Sequence, residues 1–279
     1  MCYDLNMGEK ELISRTGDRP ITQAALEADF MELGIEPGST LLVHSSLSSL
    51  GWVCGGARAL IEALQAVIRP WGTLMMPAHS GDVSDPAGWQ NPPVPKGWWE
   101  SIRASMPAYH PDLTPTRGIG LVAELFRTYP GVLRSAHPQL SFSAWGEGAM
   151  GLIDEHPPDF ALGDTSPLGR LYSRDGYVLL LGAGYQSNTS FHLAEYRADF
   201  PQKKEVDTGA PVMVEGHRRW KWFKDININS EDFEIIGHGF EKKHSHEIVK
   251  GKVGAGNARL FRQRLCVDFA VHWMERHRL

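Results

Sequence analysis

Cysteine is scarce: Cys2, Cys54 and Cys266 are the only three in 279 residues, and none belongs to a CxxC pair. An odd, scattered set is not a disulfide framework, and it fits a reducing compartment. Long apolar runs are missing as well, since nothing approaches the roughly 20 residues that span a bilayer. The opening MCYDLNMGEKELISR mixes both charges around no apolar centre, so it does not read as a secretory leader. A cytoplasmic protein with no membrane partner is expected. Excess positive charge is also absent. The net charge of −5 argues against nucleic acid as a partner, and suits either a cationic ligand or plain solubility. Three fingerprints are missing: a GxGxxG after a strand, a GxxxxGK[ST] and a GxSxG. Dinucleotide binding, P-loop chemistry and the usual nucleophile elbow lose their support. His244 and His246 form an HxH pair in EKKHSHE, but no third ligand stands at zinc spacing. They predict a solvated helix face, with no metal.

What is present is a βαβ rhythm. Thr22 precedes an apolar series at Leu26, Phe30 and Leu33, which predicts the first helix. TLLVHSS at 40–46 reads as a strand, 57–68 as a helix with Leu60, Ile61, Leu64 and Ile68 on one face, and TLMMPA at 73–78 as a second strand. Such a unit implies parallel strands covered on both faces. Residues 80–116 are punctuated by Gly and Pro and predict a long, irregular loop with one short helix near 98–105. Helical spacing returns at 121–129, YVLLLGA at 177–183 is a buried strand, and 191–198 is the helix leaving it. Beyond Lys203, polarity alternates in 211–215, 219–223 and 225–228, which predicts three short strands. Helices at 233–244 and 258–275 close the chain. The expected fold is α/β, with a mixed, largely parallel central sheet flanked by helices and a small β-rich C-terminal insertion. It reads as one domain over 1–279, with an α/β core at about 20–201 and the insertion and closing helices at about 202–279.

Four groups of residues carry chemistry. The loop SSLSSLGWVCGGA lies between a strand end and a helix start, where backbone amides bind anions and Gly55 and Gly56 allow close approach; a helix entry that merely needs small residues would look the same. In NTSFHLAE, His192 and Glu195 stand three apart, neighbours on a helix, as a general base and its orienting partner would. A capping or surface histidine is the plain alternative. Arg117 in TPTRG and Arg134 in RSAHPQLSF sit beside hydroxyl residues, able to grip an anion or to pair with acids across the loops. His44 ends the first strand at the same sheet edge as His192.

Five segments, VHSSLSSLGWVCGGA, MPAYHPDLTPTRGIG, RSAHPQLSFSAWG, SPLGRLY and LLLGAGYQSNTSFHLAEYR, in this order and spacing resemble the aminoglycoside 3-N-acetyltransferase family. The resemblance runs from about Thr22 to Pro201 and continues more weakly into KVGAGNARLF. It implies a fold distinct from the common splayed-strand (GNAT) acetyltransferase fold. It also implies transfer from acetyl-CoA to the 3-amino group of a deoxystreptamine ring, with antibiotic resistance as the consequence. His192 matches the catalytic histidine of the family motif, Glu195 its acidic position, and His44 a second histidine near the active centre. Ser45, Ser46, Gly55, Gly56, Thr116 and Arg117 would serve coenzyme A, with amides near Ser45 and Ser46 stabilising the oxyanion. Asp82, Asp85, Glu100, Glu195 and Asp199 are candidates to face the cationic substrate. The expected route is direct transfer. Two alternatives stand beside it: another amine as acceptor, and a serine hydrolase built from Ser45 or Ser46 with His192 and Glu195.

Overall fold

The computed structural model describes residues 8–279; residues 1–7, Cys2 among them, lie outside the described residues. The chain begins with α1 (Glu9–Thr16), α2 (Gln23–Glu32), β1 (Thr40–Ser45), α3 (Gly56–Ile68) and β2 (Thr73–Pro77). Next come α4 (Trp99–Ser105), α5 (Leu121–Phe126), β3 (Leu133–Arg134), β4 (Phe142–Gly146), α6 (Ala149–Ile153), α7 (Pro167–Ser173), β5 (Tyr177–Leu181) and α8 (Ser190–Arg197). It closes with β6 (Glu205–Val214), β7 (His217–Ile226), α9 (Phe233–Lys243), β8 (Val249–Val253), β9 (Gly256–Arg262) and α10 (Gln263–His277).

Seven strands form one mixed sheet in the order β3-β4-β2-β1-β5-β9-β8. Its centre is parallel: β1 pairs with β2 through Leu41↔Leu74 and with β5 through Val43↔Leu179. The flanks, β4 beside β2 and β9 beside β5, run antiparallel. Side-chain alternation along the central strands feeds two cores. Leu41, Val43, Leu179 and Leu181 meet α2, α3 and α5 through Phe30, Leu60, Leu64 and Phe126 on one face. Leu42, Val178 and Leu180 meet Leu152, Phe191, Phe240 and Val267 on the other. Coverage of both faces is why these strands are continuously apolar.

Local signals act as anticipated in α2, where the Thr22 hydroxyl accepts the Ala25 amide at 3.2 Å. Three expectations need correcting. A helix, α1, precedes Thr22; none of its residues is buried, so no apolar period marks it in the sequence. The proposed helix 258–275 is two elements, because Ala258–Arg262 extends the sheet by pairing with Tyr177–Leu181, and α10 begins only at Gln263. The three short strands at 211–228 are instead two ten-residue strands, β6 and β7, in register from Glu205↔Ile226 to Val214↔His217. Glu215 and Gly216 both take positive φ (50° and 76°), the two-residue turn that matches strand twist.

The long loop 80–116 is irregular but anchored. Arg134 spends three of its five guanidinium N–H groups on the loop and two on Ala78 and Ser141 beside it. Nε donates to Ser141 Oγ, Nη1 to the carbonyls of Pro111 and Thr114, and Nη2 to Ala78 O and Ser80 Oγ. Its role is therefore to tie the loop to the sheet, through carbonyls and hydroxyls rather than through acids or a bound anion.

Candidate active site

Three parallel strands end at one edge of the sheet with polar residues at or beyond their ends: His44 and Ser45 close β1 with Ser46 after them, His79 follows β2, and Gly182 to Thr189 follow β5. This is where an α/β sheet binds ligands. A cavity of about 860 Å³ opens there, walled by the Ser45–Ser49 turn, Gly118–Gly120, Gly182–Gly184 and Thr189, with His44 and His79 also in its lining. A volume of this size takes a ligand of several hundred daltons. Close packing of backbone makes the wall. A Cβ at Gly182 (φ 65°) would lie 2.6 Å from Ser49 Cβ and 2.9 Å from Ser46 O, so only glycine lets the end of β5 rest on the serine turn. Among the described residues the lining includes hydroxyls, amides and Glu9, and no lysine or arginine. It fits a neutral, amide-bearing arm such as pantetheine better than it fits phosphates.

Beside this cavity α8 presents the histidine–carboxylate pair. Asn188 Oδ1 accepts the Ser190 amide at 3.2 Å and starts the helix. Three residues apart on it, His192 Nδ1 lies 2.5 Å from Glu195 Oε2. Glu195 is wholly buried, whereas the His192 side chain keeps 13% of its exposure and rests on the Phe233 ring at 4.8 Å between centroids. The other oxygen of Glu195 accepts from the Asn229 amide at 2.8 Å and from Arg278 at 2.6 Å. A carboxylate held this way only accepts. Nδ1 of His192 is thus the nitrogen that donates, and in the neutral ring Nε2 carries the lone pair.

The cavity and the pair are adjacent rather than coincident. His192 does not line the cavity; Thr189, whose carbonyl accepts the His192 amide at 3.0 Å, does. The Thr189 hydroxyl stands 3.4 Å from His44 Nε2. Burial, reinforced by nearby His192, pushes His44 down to about 3, so its ring is neutral. The same causes, with His44 added, hold His79 at about 3.

Of the residues expected to serve a cofactor, Ser45, Ser46 and Gly56 line the cavity, whereas Gly55, Thr116 and Arg117 do not. The Thr116 amide and hydroxyl both donate to Glu124, and Arg117 pairs with Asp82. The Ser46 amide donates to Leu181 O at 2.9 Å, so it is not free to meet an oxyanion. The acids expected at the mouth are not gathered: Asp82 pairs with Arg117, Asp85 and Glu100 pair with Arg103, and Asp199 is exposed just past α8. Neither Ser45 nor Ser46 is hydrogen-bonded to His192 among the described residues; the Ser46 hydroxyl joins Ser48 and Ser49 instead. His244 caps α9 and pairs with Glu247, and among the described residues no group of three His, Cys, Asp or Glu is set to hold a metal. Nor is any helix among them long and apolar enough to cross a membrane. His79, Thr189, Asn229 and Arg278 are additions to the sequence-derived set. His79 was within reach, because it ends TLMMPAHS as His44 ends the preceding strand.

The sequence profile of the aminoglycoside 3-N-acetyltransferases matches residues 42–275. A prophage-derived aminoglycoside N(3')-acetyltransferase-like protein of Bacillus subtilis is 51% identical over 255 residues, covering 91% of this chain and 92% of its own length. The crystal structure of the B. subtilis YokD protein superposes with a TM-score of 0.92 at 49% identity, covering 96% of this chain and 98% of that one. Aminoglycoside N(3)-acetyltransferase VII of Streptomyces paromomycinus is 37% identical over 287 residues, 96% of each chain. Two further structures carry ligands. AAC-IIIb in a binary complex with CoASH aligns at TM-score 0.82 and 29% identity, covering 92% of this chain and 97% of its own. AAC-VIa bound to sisomicin aligns at 0.83 and 29%, covering 93% and 99%. With its mixed sheet, its ordered motifs and this breadth of agreement, the chain belongs to the aminoglycoside 3-N-acetyltransferase family.

Proposed function

We propose that this protein transfers the acetyl group of acetyl-CoA directly to the 3-amino group on the deoxystreptamine ring of an aminoglycoside, with His192 as general base. The observation that carries the reading is the 2.5 Å contact of His192 Nδ1 with Glu195 Oε2 at the strand-end edge of the sheet. An amine arrives as an ammonium and cannot attack a carbonyl until it has lost a proton. Nε2 of His192 takes that proton, and Glu195 then stabilises the imidazolium. Acetyl-CoA supplies an acyl carbon activated by a thiolate leaving group. Ser45, Ser46 and Gly56 would hold its neutral arm along the cavity, and the CoASH complex of AAC-IIIb supports that use. His44, kept neutral, offers the cavity wall an uncharged hydrogen-bonding ring beside Thr189. With His44 and His79 neutral and no lysine or arginine among the described lining residues, the cavity wall does not repel an incoming cation.

The sisomicin complex of AAC-VIa supports an aminoglycoside as acceptor. Asp199, just past the His192 helix, makes no ion pair among the described residues and is the first of the expected acids to test as an ammonium partner. Asp82 and Glu100 would have to exchange an arginine for the ligand. A cytoplasmic setting accords with Cys54 and Cys266 both being free thiols. The serine route shares His192 and Glu195 but requires an acetyl-serine. Initial velocities with both substrates varied should give intersecting lines, and rapid-quench mass spectrometry should find no acetylated protein. Parallel lines with acetate on Ser45 or Ser46 would overturn direct transfer.

A further inference from the structure

Burying a carboxylate completely is costly unless both oxygens are satisfied. For Glu195, His192 takes Oε2, while Oε1 accepts the Asn229 amide at 2.8 Å and Arg278 Nη1 at 2.6 Å. Arg278 is itself fixed. Its Nε and Nη2 donate to Asp232 at 2.8 and 2.6 Å, Nη2 also donates to Asn229 O at 2.8 Å, and the guanidinium lies 5.1 Å from the centre of the Phe200 ring. Asn229 sits between β7 and α9, Asp232 opens α9, and Arg278 follows α10. Segments remote in sequence therefore converge behind one carboxylate, on the side away from the imidazole.

We propose that Arg278 is a positioning residue for acetyl transfer: it locks the orientation of Glu195 and, by its charge, limits how tightly Glu195 holds the protonated ring of His192. The proposal rests on His192 being the base. A carboxylate already sharing its charge with a guanidinium attracts an imidazolium less strongly, so the proton taken from the amine is not trapped. The groups facing His192 are Glu195 on its own helix, His44 from the end of β1, His79 beyond β2, Asp225 near the end of β7 and the Phe233 ring on α9. The two histidines are neutral, so none of these supplies the positive charge that Arg278 places behind Glu195.

The test uses the full chain with Arg278→Met, Arg278→Lys and Asp232→Asn, each checked by thermal melting. In folded Arg278→Met, kcat should fall by up to about 100-fold with the KM for acetyl-CoA unchanged. The acid limb of its kcat/KM profile should move to higher pH by about one unit. Arg278→Lys keeps the charge without the fork, so the limb should return while kcat recovers only in part. Asp232→Asn loosens Arg278 without removing its charge, and should lower kcat with the limb in place. A folded Arg278→Met enzyme with wild-type kcat and profile, beside an inactive His192→Gln, would overturn the proposal and leave the base assignment standing. Should Arg278→Met not fold, an Arg278→Lys enzyme with full kcat would overturn it equally. Activity retained in His192→Gln would instead remove the base on which both rest.

Discussion

Replacing His192 with glutamine should lower kcat by roughly 10²- to 10⁴-fold while leaving the protein folded. Glutamine preserves a hydrogen bond to Glu195 and most of the packing on Phe233, yet it has no basic nitrogen near neutral pH. Acetyl-CoA affinity should hold, because the cavity that would take it is lined by the serine turn and Thr189 and not by His192. The loss should therefore appear in kcat, the signature of an interaction made only as the bond forms. It should also shrink as pH rises and the amine deprotonates in solution, since an amine that arrives neutral no longer needs the base. A His192→Gln enzyme that keeps most of its kcat at neutral pH contradicts the assignment.

The second large effect is acid sensitivity of the fold. Four of the twelve histidines are held neutral: His44, His79 and His156 at about 3, and His137 at about 4, in every case chiefly by burial. The last two show why in atomic terms. His137 Nδ1 accepts the Gln139 and Leu140 amides and its Nε2 donates to Pro158 O, while His156 Nδ1 accepts the Ser135 hydroxyl and its Nε2 donates to Ala161 O. A second proton on either ring would face donors, with the other ring 4.9 Å away between centroids. In the unfolded chain these groups titrate near 6.5, so between about 6.5 and 4 the unfolded state binds more protons than the folded one. Stability contributed this way is complete above about pH 6.5 and is lost as pH falls through that window. Each group adds a slope of up to about 1.4 kcal/mol per pH unit, against a total stability of roughly 5–15 kcal/mol. Urea melts at successive pH values should show the unfolding free energy falling steeply between about pH 6 and 5. Glu124, which burial would raise but which Arg127 and Thr116 hold at about 2, loses its contribution only at lower pH. An unfolding free energy that stays flat from pH 7 to 5 would contradict the buried neutral histidines.

Much of the architecture was legible because the centre of the sheet is apolar on both faces. TLLVHS, TLMMP and YVLLL could hardly be anything but buried strands, and the helices that cover them carry a regular period. Legibility fails where periodicity does. α1 buries nothing, and β9 joins α10 without a breaker, so ARLFRQRLC reads as one helix although its first half completes the sheet. The site divides in the same way. His192 and Glu195 lie on one helix, and His44 ends a strand, so local spacing finds them. Arg278 reaches Glu195 across 83 residues and Asn229 across 34, and no local pattern encodes such contacts. Arg134, ambiguous as a string, is resolved by its five partners. The same holds for Asp82 and Asp85, whose arginine partners stand 35 and 18 residues away; only the Glu100–Arg103 pair, three apart on α4, follows helical spacing.

The most direct measurement of the account as a whole is thiol release from acetyl-CoA with a panel of aminoglycosides and simple amines, followed by NMR location of the new acetyl group. Turnover confined to compounds with a free 3-amino group, and acetate found on that nitrogen, is the predicted result. Acetate on another position, or turnover of simple amines with none of the aminoglycosides, would contradict it.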